Sequence, residues 1–179
     1  QAHQKSVPGE KSSWLVRLVK SCTSWVAPQD IQRVTQTTTD SAVGAEQIRR
    51  LEQQSDRPKV IVADSLYGNQ YFLAIFLVVT TVFALVRLRS NLTLYESPLP
   101  KKPHQKGRPP IHGKKFLMKN PSREPDRQAT CILFGQTVVL AAWHGLHLQQ
   151  LPTLVGMLLR VQFLKTDGTP RYKNPIFLF

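Results

Sequence analysis

One carboxylate in this sequence is placed where metal chemistry is feasible: Asp64, which directly follows the apolar run Lys59-Val60-Ile61-Val62-Ala63. Because the run is short and lies between two helical segments, we predict a strand buried on both faces. In open α/β sheets, ligand sites form outside the carboxyl ends of such strands. Mg²⁺ and Mn²⁺ prefer oxygen ligands, and two such ions can activate an attacking water in phosphoryl transfer. Asp64 is therefore a candidate catalytic metal ligand.

Asp64 also has a structural interpretation, as the cap of the helix that follows it. Asp is favoured at helix N-termini, and backbone NH groups near Tyr67 could donate to its side chain. Gly68 and Asn69 could then be turn residues and nothing more. The residues alone leave both interpretations open.

Basic residues form the second candidate feature. Lys and Arg number 24 against 11 Asp and Glu, a formal net charge of +13, which indicates a polyanionic partner. Arg87 and Arg89 alternate on a predicted strand, so both point to one face. Such side chains can follow a DNA phosphate backbone with salt-dependent affinity, although a solvated loop is the alternative for those in the Pro-rich segment. The candidates in that segment are Lys101, Lys102, Lys106, Arg108, Lys114 and Lys115.

The elements that position these residues follow from periodicity. Strand-compatible runs cover residues 14–19 and 25–34, and an amphipathic helix is predicted over 42–54 with Asp40 or Ser41 as its cap. The apolar run 71–86 is predicted to be a helix and then a strand inside a core, because its 16 residues fall short of the roughly 20 that span a bilayer. A membrane protein built on this run is the alternative. The order of helices and strands predicts an α/β fold.

The amino-acid composition changes after Arg89. Residues 97–127 hold seven prolines and nine Lys or Arg, so we predict irregular structure there. Later apolar runs have strand character, with a turn at 166–169. The predicted organisation is a core at 1–89, a β-rich insertion at 90–172 and the start of a returning core strand at 173–179.

The cysteine and histidine residues give little indication of a metal site. Cys22 and Cys131 lack CxxC or CxxxH spacing, so zinc is not supported and both are expected to be buried free thiols in a reducing cytoplasm. His144 and His147 would share a face if they lay on a helix, but no third ligand is near, and packing roles are expected. The N-terminal residues lack a charged segment followed by an apolar stretch and a cleavage site, so secretion is not predicted.

The segment KVIVADSLYGN, an apolar helix and then ALVRLRSNLTLYESP together resemble the second-aspartate region of bacterial insertion-sequence transposases of the DDE superfamily. The stretches KGRPPIHGKKF, AAWHGLHL and LRVQFLKTDGTPRYKNPIFLF resemble the same group in the same order. The resemblance implies a partial ribonuclease H-like core in which an Asp, an Asp and a Glu hold two Mg²⁺ (or Mn²⁺) ions. Asp64 matches the second Asp, and a β-rich insertion precedes the Glu in such families.

The implied reaction is hydrolysis of DNA at transposon ends, followed by attack of the freed 3′-hydroxyl on target DNA. We further expect a cytoplasmic, nucleoid-associated protein without a membrane span that forms a homodimer at full length. No residue matches the first Asp or the Glu, so the chain is expected to be truncated at both ends and inactive alone. The alternative is a non-enzymatic basic nucleic-acid-binding protein. The rejected acidic residues are Asp30, Asp40, Glu96, Glu124, Asp126 and Asp167.

Overall fold

The structure is a computed structural model that describes residues 11–18, 26–101 and 106–179. It is a mixed α/β structure in which strands predominate, as predicted for the fold class. The elements are β1 (Lys11–Leu18), β2 (Val26–Val34), α1 (Asp40–Gln53), β3 (Lys59–Ala63), α2 (Gln70–Leu73) continued by a 3₁₀ turn (Ala74–Leu77), β4 (Val82–Leu88), β5 (Thr93–Glu96), β6 (Lys115–Leu117), β7 (Arg127–Leu133), β8 (Gln136–Leu148), β9 (Leu151–Phe163) and β10 (Ile176–Leu178).

Eight strands form the main sheet, in the order β3-β4-β10-β9-β8-β5-β6, with β7 paired to β8 beside this path. Strands β3 and β4 are parallel and are joined through α2, whereas the remaining pairs of the sheet are antiparallel. Strands β1 and β2 form a separate antiparallel hairpin. The strand predicted at the end of the chain is therefore confirmed as β10, which lies between β4 and β9.

The predicted helical segments are confirmed with small changes at their ends. Helix α1 begins two residues earlier than predicted, because its cap is Thr39, whose hydroxyl accepts from the NH of Ala42 at 3.2 Å. The run 71–86 divides into α2 with its 3₁₀ turn and then β4, as predicted. Among the described residues, no helix is long and apolar enough to cross a membrane.

The prediction that β3 is buried on both faces is wrong. Val60 and Val62 are 66% and 70% exposed, whereas Ile61 and Ala63 pack against the hydrophobic core. The side chains of β3 alternate between two faces, and the face that carries Val60 and Val62 is open to solvent in the described structure. A run of β-branched residues reflects strand propensity as much as burial, which is why the sequence pattern overstated the burial.

The Pro-rich segment contributes to the core, contrary to the prediction of irregular structure throughout 97–127. Strand β6 lies within it, and Phe116 and Met118 are almost fully buried. The ring of Phe116 meets Trp143 of β8 edge-on, with 5.7 Å between centroids. Three residues between lysines and prolines are too short a run to show a strand period.

One hydrophobic cluster runs through the described chain. It joins Ile48 and Phe72 to Trp143, Leu158 and other residues of β8 and β9. The proposed boundary at residue 89 between core and insertion stays a prediction, since sheet and cluster both continue across it.

Two smaller expectations have different outcomes. The turn at 166–169 is confirmed, because the NH of Lys165 donates to the carbonyl of Thr169 and Gly168 adopts φ 80°. The expectation of a buried Cys131 is wrong: it lies on β7, all of whose residues are exposed. Cys22 lies outside the described residues.

Candidate active site

Asp64 lies at the carboxyl end of β3, and its side chain is exposed. One carboxylate oxygen, Oδ1, accepts from the NH of Leu66 at 2.9 Å, so the side chain forms an Asx turn. The carbonyl of Asp64 accepts from the NH of Tyr67 at 3.2 Å. Within the described residues, no ion pair engages this carboxylate. It is oriented by the backbone and retains acceptor capacity towards solvent.

The interpretation of Asp64 as a helix cap is wrong. Helix α2 is capped by Asn69, whose side-chain oxygen accepts from the NH of Tyr71 at 3.0 Å and of Phe72 at 3.2 Å. The amide nitrogen of Asn69 donates in turn to the carbonyl of Leu66 and the hydroxyl of Ser41. Because Asn69 satisfies the helix terminus, that role gives no reason for a carboxylate at position 64.

Close packing holds the loop after Asp64 against neighbouring elements. A Cβ on Gly68 would stand 2.6 Å from the carbonyl oxygen of Arg87, so only glycine permits this approach of the loop to β4. The hydroxyl of Tyr67 lies 2.9 Å from Ser13 Oγ, which donates to Gln47 Oε1 at 2.7 Å. Ser13 and Gln47 are both buried. The loop is thereby tied to β4, β1 and α1.

Sequence reasoning missed this buried polar network. Gln47 offered a signal, because it falls on the apolar side of α1 beside Ile48. A polar residue at such a position requires a buried partner. Nothing in the sequence identified Ser13, 34 residues away, as that partner.

Arg87 lies beside Asp64 on the same face of the sheet. The last pair of the parallel register is Ala63 with Val86, so the next position of β3 faces Arg87. Arg87 and Arg89 are both exposed, and Arg89 lies just past the end of β4. Neither guanidinium forms an ion pair with a described residue. The structure thus brings to the same edge a carboxylate and two cations that form no ion pair with any residue in the described part of the chain.

Two of the remaining basic candidates lie at the far end of the sheet. Lys115 is on β6, at the opposite end of the strand order from β3, and Lys114 immediately precedes it. The ammonium group of Lys101 donates to the carbonyl of Gly107, which closes part of the Pro-rich loop. Lys106 and Arg108 are exposed on that loop, and Lys102 lies outside the described residues. Lys114 and Lys115 are therefore not part of the Asp64 edge.

The oxygen donors of Asp64 suit a hard divalent cation, but they form only one ligand. The described residues contain no group of three or more His, Cys, Asp or Glu side chains that could hold a metal ion. His144 and His147 lie on a strand rather than a helix, with His144 exposed and His147 fully buried. The structure therefore fits Asp64 as one member of a metal site and supplies no complete site.

Two further carboxylates have structural partners. Glu96 Oε1 accepts from Arg123 Nε at 3.1 Å, and Asp126 Oδ2 accepts from the NH of His144 at 2.7 Å. Arg123 also donates to Asp126 and to the carbonyl of His144. The His144 NH, followed by Arg123, holds the pKa of Asp126 below its usual value. These groups join β5 and β8 to the segment between β6 and β7.

Comparison with known proteins gives one match. The model of a family described as DDE superfamily endonuclease matches residues 5–147, which include Asp64, Arg87 and Arg89. No curated protein and no solved structure matches the chain. Since the family model covers most of the 179 residues, the chain belongs to the DDE superfamily of endonucleases.

Proposed function

We propose that this protein is a transposase of a bacterial insertion sequence, which cleaves DNA at transposon ends and joins the freed 3′-hydroxyl to target DNA. The observation that carries the proposal is the exposed carboxylate of Asp64 at the end of β3, beside the free guanidiniums of Arg87 and Arg89. Membership of the endonuclease family supports a reaction at a DNA phosphodiester. Such an enzyme would work at the nucleoid in the cytoplasm.

Asp64 would hold a divalent cation, Mg²⁺ or Mn²⁺, in this reaction. When bound, such an ion generates a nucleophile from water and stabilises charge on the phosphoryl oxygens. The Asx turn with Leu66 fixes the carboxylate in advance, which lowers the cost of ordering it on binding. Arg87 and Arg89 would bind DNA phosphates next to it, and the Lys-rich loop would add sequence-independent affinity.

A two-metal site needs more than one carboxylate. We propose that Asp64 is the second Asp of a ribonuclease H-like core and that the first Asp and the Glu are not among the described residues. The 179-residue chain would then bind DNA but cleave it poorly or not at all. A full-length homodimer is the expected active form.

Metal binding at Asp64 can be tested on this chain by NMR with Mn²⁺, whose unpaired electrons broaden nearby amide signals. We expect selective broadening of the signals of residues 64–67 and its loss in Asp64→Asn. Asp167→Asn is the matched control, because Asp167 forms the same type of Asx turn, with the NH of Thr169 at 2.8 Å. Equal loss in both variants, or no broadening near residue 64, would contradict the proposal.

The alternative is a non-enzymatic, basic nucleic-acid-binding protein. It is favoured by the lack, among the described residues, of a group of three or more side chains that could hold a metal ion, and by the net charge of +13. In that case DNA affinity would not respond to Mn²⁺ beyond a general salt effect. If DNA instead binds more tightly with Mn²⁺ than with an equal ionic strength of NaCl, and Asp64→Asn removes the gain, the metal-dependent function stands.

A further inference from the structure

A polar concavity opens next to Asp64, with a volume of about 390 Å³. Three segments form it: the loop after β3, the turn after β4 and the residues that precede β10. We refer to it as the Arg–Asn concavity. Its polar lining residues include Ser65, Arg87, Arg89, Asn91 and Asn174.

Backbone contacts hold these segments together. Gly68 packs on the carbonyl of Arg87, and the NH of Leu92 donates to the carbonyl of Arg89 at 3.0 Å, which closes the turn that carries Asn91. Asn174 is brought in by β10, whose buried Phe177 pairs with Leu88 of β4. The concavity is therefore built on strand ends and a closed turn, a rigid support for a binding site.

The residues that line the Arg–Asn concavity favour an anion as ligand. None of the described residues that line the concavity is acidic. The two arginines have no ion-pair partner in the described chain, in contrast to Arg123, which is held by Glu96 and Asp126. Guanidinium groups and carboxamide NH₂ groups are hydrogen-bond donors that suit phosphate oxygens. The volume allows on the order of ten water-sized groups, enough for a phosphate with its remaining water.

Its position relates it to the proposed reaction. Ser65 follows Asp64 directly, and Arg87 lies on the next strand at the position facing Asp64. A phosphate in the concavity would thus lie beside the carboxylate on the same sheet edge.

We propose that the Arg–Asn concavity binds a backbone phosphate of a DNA strand and so places the neighbouring phosphodiester at Asp64. Asn174 and Asn91 are positioning residues in this assignment, and both lie outside the set of basic residues expected to contact DNA. The identity of the strand rests on the proposed function, whereas binding of phosphate does not. A free inorganic phosphate and a DNA phosphate share this chemistry, so the test includes both.

The first measurement is a titration of the unmodified chain with inorganic phosphate, observed on the side-chain NH₂ signals of Asn91 and Asn174 by NMR. We expect saturable shifts of these two signals at phosphate concentrations that leave the NH₂ signal of Asn120 unchanged. Asn120 is exposed in the turn after β6. The absence of selective shifts both with phosphate and with a short single-stranded oligonucleotide would overturn the assignment. Shifts with phosphate but not with the oligonucleotide would overturn the assignment to DNA.

The second measurement is DNA affinity by fluorescence anisotropy for Asn174→Asp, with Asn120→Asp as the charge-matched control. We expect Asn174→Asp to weaken binding about tenfold, a loss of about 1.4 kcal/mol, and Asn120→Asp to weaken it less than about twofold. Arg89→Ala should reduce the salt slope of log K by about 1. Equal effects of the two Asp substitutions would mean that only net charge matters and would overturn the proposal.

The outcomes separate this proposal from the proposed function. If Asn174→Asp selectively weakens DNA binding while Mn²⁺ fails to broaden signals near Asp64, the concavity stands and the metal-dependent function fails. If Mn²⁺ binds at Asp64 while Asn174→Asp behaves like Asn120→Asp, the concavity fails and the metal-dependent function stands.

Discussion

The imidazoles of His112 and His147 are joined by a hydrogen bond of 3.0 Å between Nδ1 of the first and Nε2 of the second. The two imidazole rings are stacked, with centroids 5.2 Å apart, and the Tyr95 ring lies tilted against the His112 ring, with centroids 4.9 Å apart. His147 is fully buried on β8, whereas His112 comes from the Pro-rich segment. The histidine pair therefore holds the Pro-rich segment against the sheet.

Protonation of His147 should destabilise the fold. Burial, and then the nearby His112, lower the pKa of His147 below its usual value of 6.5. The other titratable groups that face it are Tyr95, its partner on β5, and Lys115, which pairs with Tyr95 on β6. Since the folded state disfavours the charged imidazole, the stability contributed is present above pH 6.5 and is lost as the pH falls below it.

Urea unfolding between about pH 5 and about pH 7.5 measures this effect. In the unmodified chain, we expect the free energy of unfolding to decrease as the pH is lowered. The decrease should be smaller in His147→Phe, because phenylalanine has no titratable group. His144→Gln is the comparison variant, because it removes an exposed histidine from the same strand and leaves the His112–His147 pair in place. A pH dependence that survives in His147→Phe would refute this role of the pair.

Arg123 should contribute more to stability than surface arginines do. Its guanidinium donates hydrogen bonds to Glu96, Asp126 and the carbonyl of His144. Arg123→Ala therefore removes the donor of three hydrogen bonds. We expect Arg123→Ala to lower the free energy of unfolding by about 1–3 kcal/mol. The value should lie near the lower end of this range, because these side chains are partly exposed. Arg123→Lys should recover only part, because an ammonium group cannot reproduce the planar fork.

Arg49→Ala provides the comparison for Arg123. Arg49 forms an exposed pair with Glu46 on α1, and its loss should cost at most about 0.5 kcal/mol. Denaturant unfolding of the variants gives the values. If Arg123→Ala and Arg49→Ala lose equal stability, the network contributes nothing beyond surface pairing.

Phe116 should behave as a core residue although it lies in a Pro- and Lys-rich segment. It is fully buried against Trp143, so Phe116→Ala should lower the free energy of unfolding by about 3–5 kcal/mol. Leu117→Ala is the matched control, since Leu117 is the next residue on β6 and is 46% exposed. Similar, small losses from both substitutions, measured by thermal or urea unfolding, would show that this segment does not pack on the sheet.

Gly68 should be intolerant of a side chain. A methyl group there would stand 2.6 Å from the carbonyl oxygen of Arg87, which belongs to the backbone of β4 and cannot easily move. We expect Gly68→Ala to cost about 1–3 kcal/mol and to shift the NMR signals of Asp64 and Leu66. Ser65→Ala, in the same loop, should leave stability within about 0.5 kcal/mol. A Gly68→Ala variant with unchanged stability and signals would disprove the close approach.

Local sequence patterns determined where the main elements lie and where the carboxylate lies. Sequence patterns predicted helix α1, the helix and strand of 71–86, and the position of Asp64 directly after β3. These predictions were possible because hydrophobic periodicity and helix capping depend on residues a few positions apart. The prediction that Arg87 and Arg89 share one face rests on strand alternation alone. The resemblance to DDE transposases used the same short stretches, and the family match confirms the superfamily.

Tertiary structure decided everything that depends on which distant segments meet. The exposure of Val60 and Val62 depends on which elements cover each face of β3, and the burial of Phe116 follows from its contact with Trp143. Asn174 joins Arg87 only because β10 pairs with β4. Each of these contacts links residues far apart in the chain, and a local period carries no information about such partners.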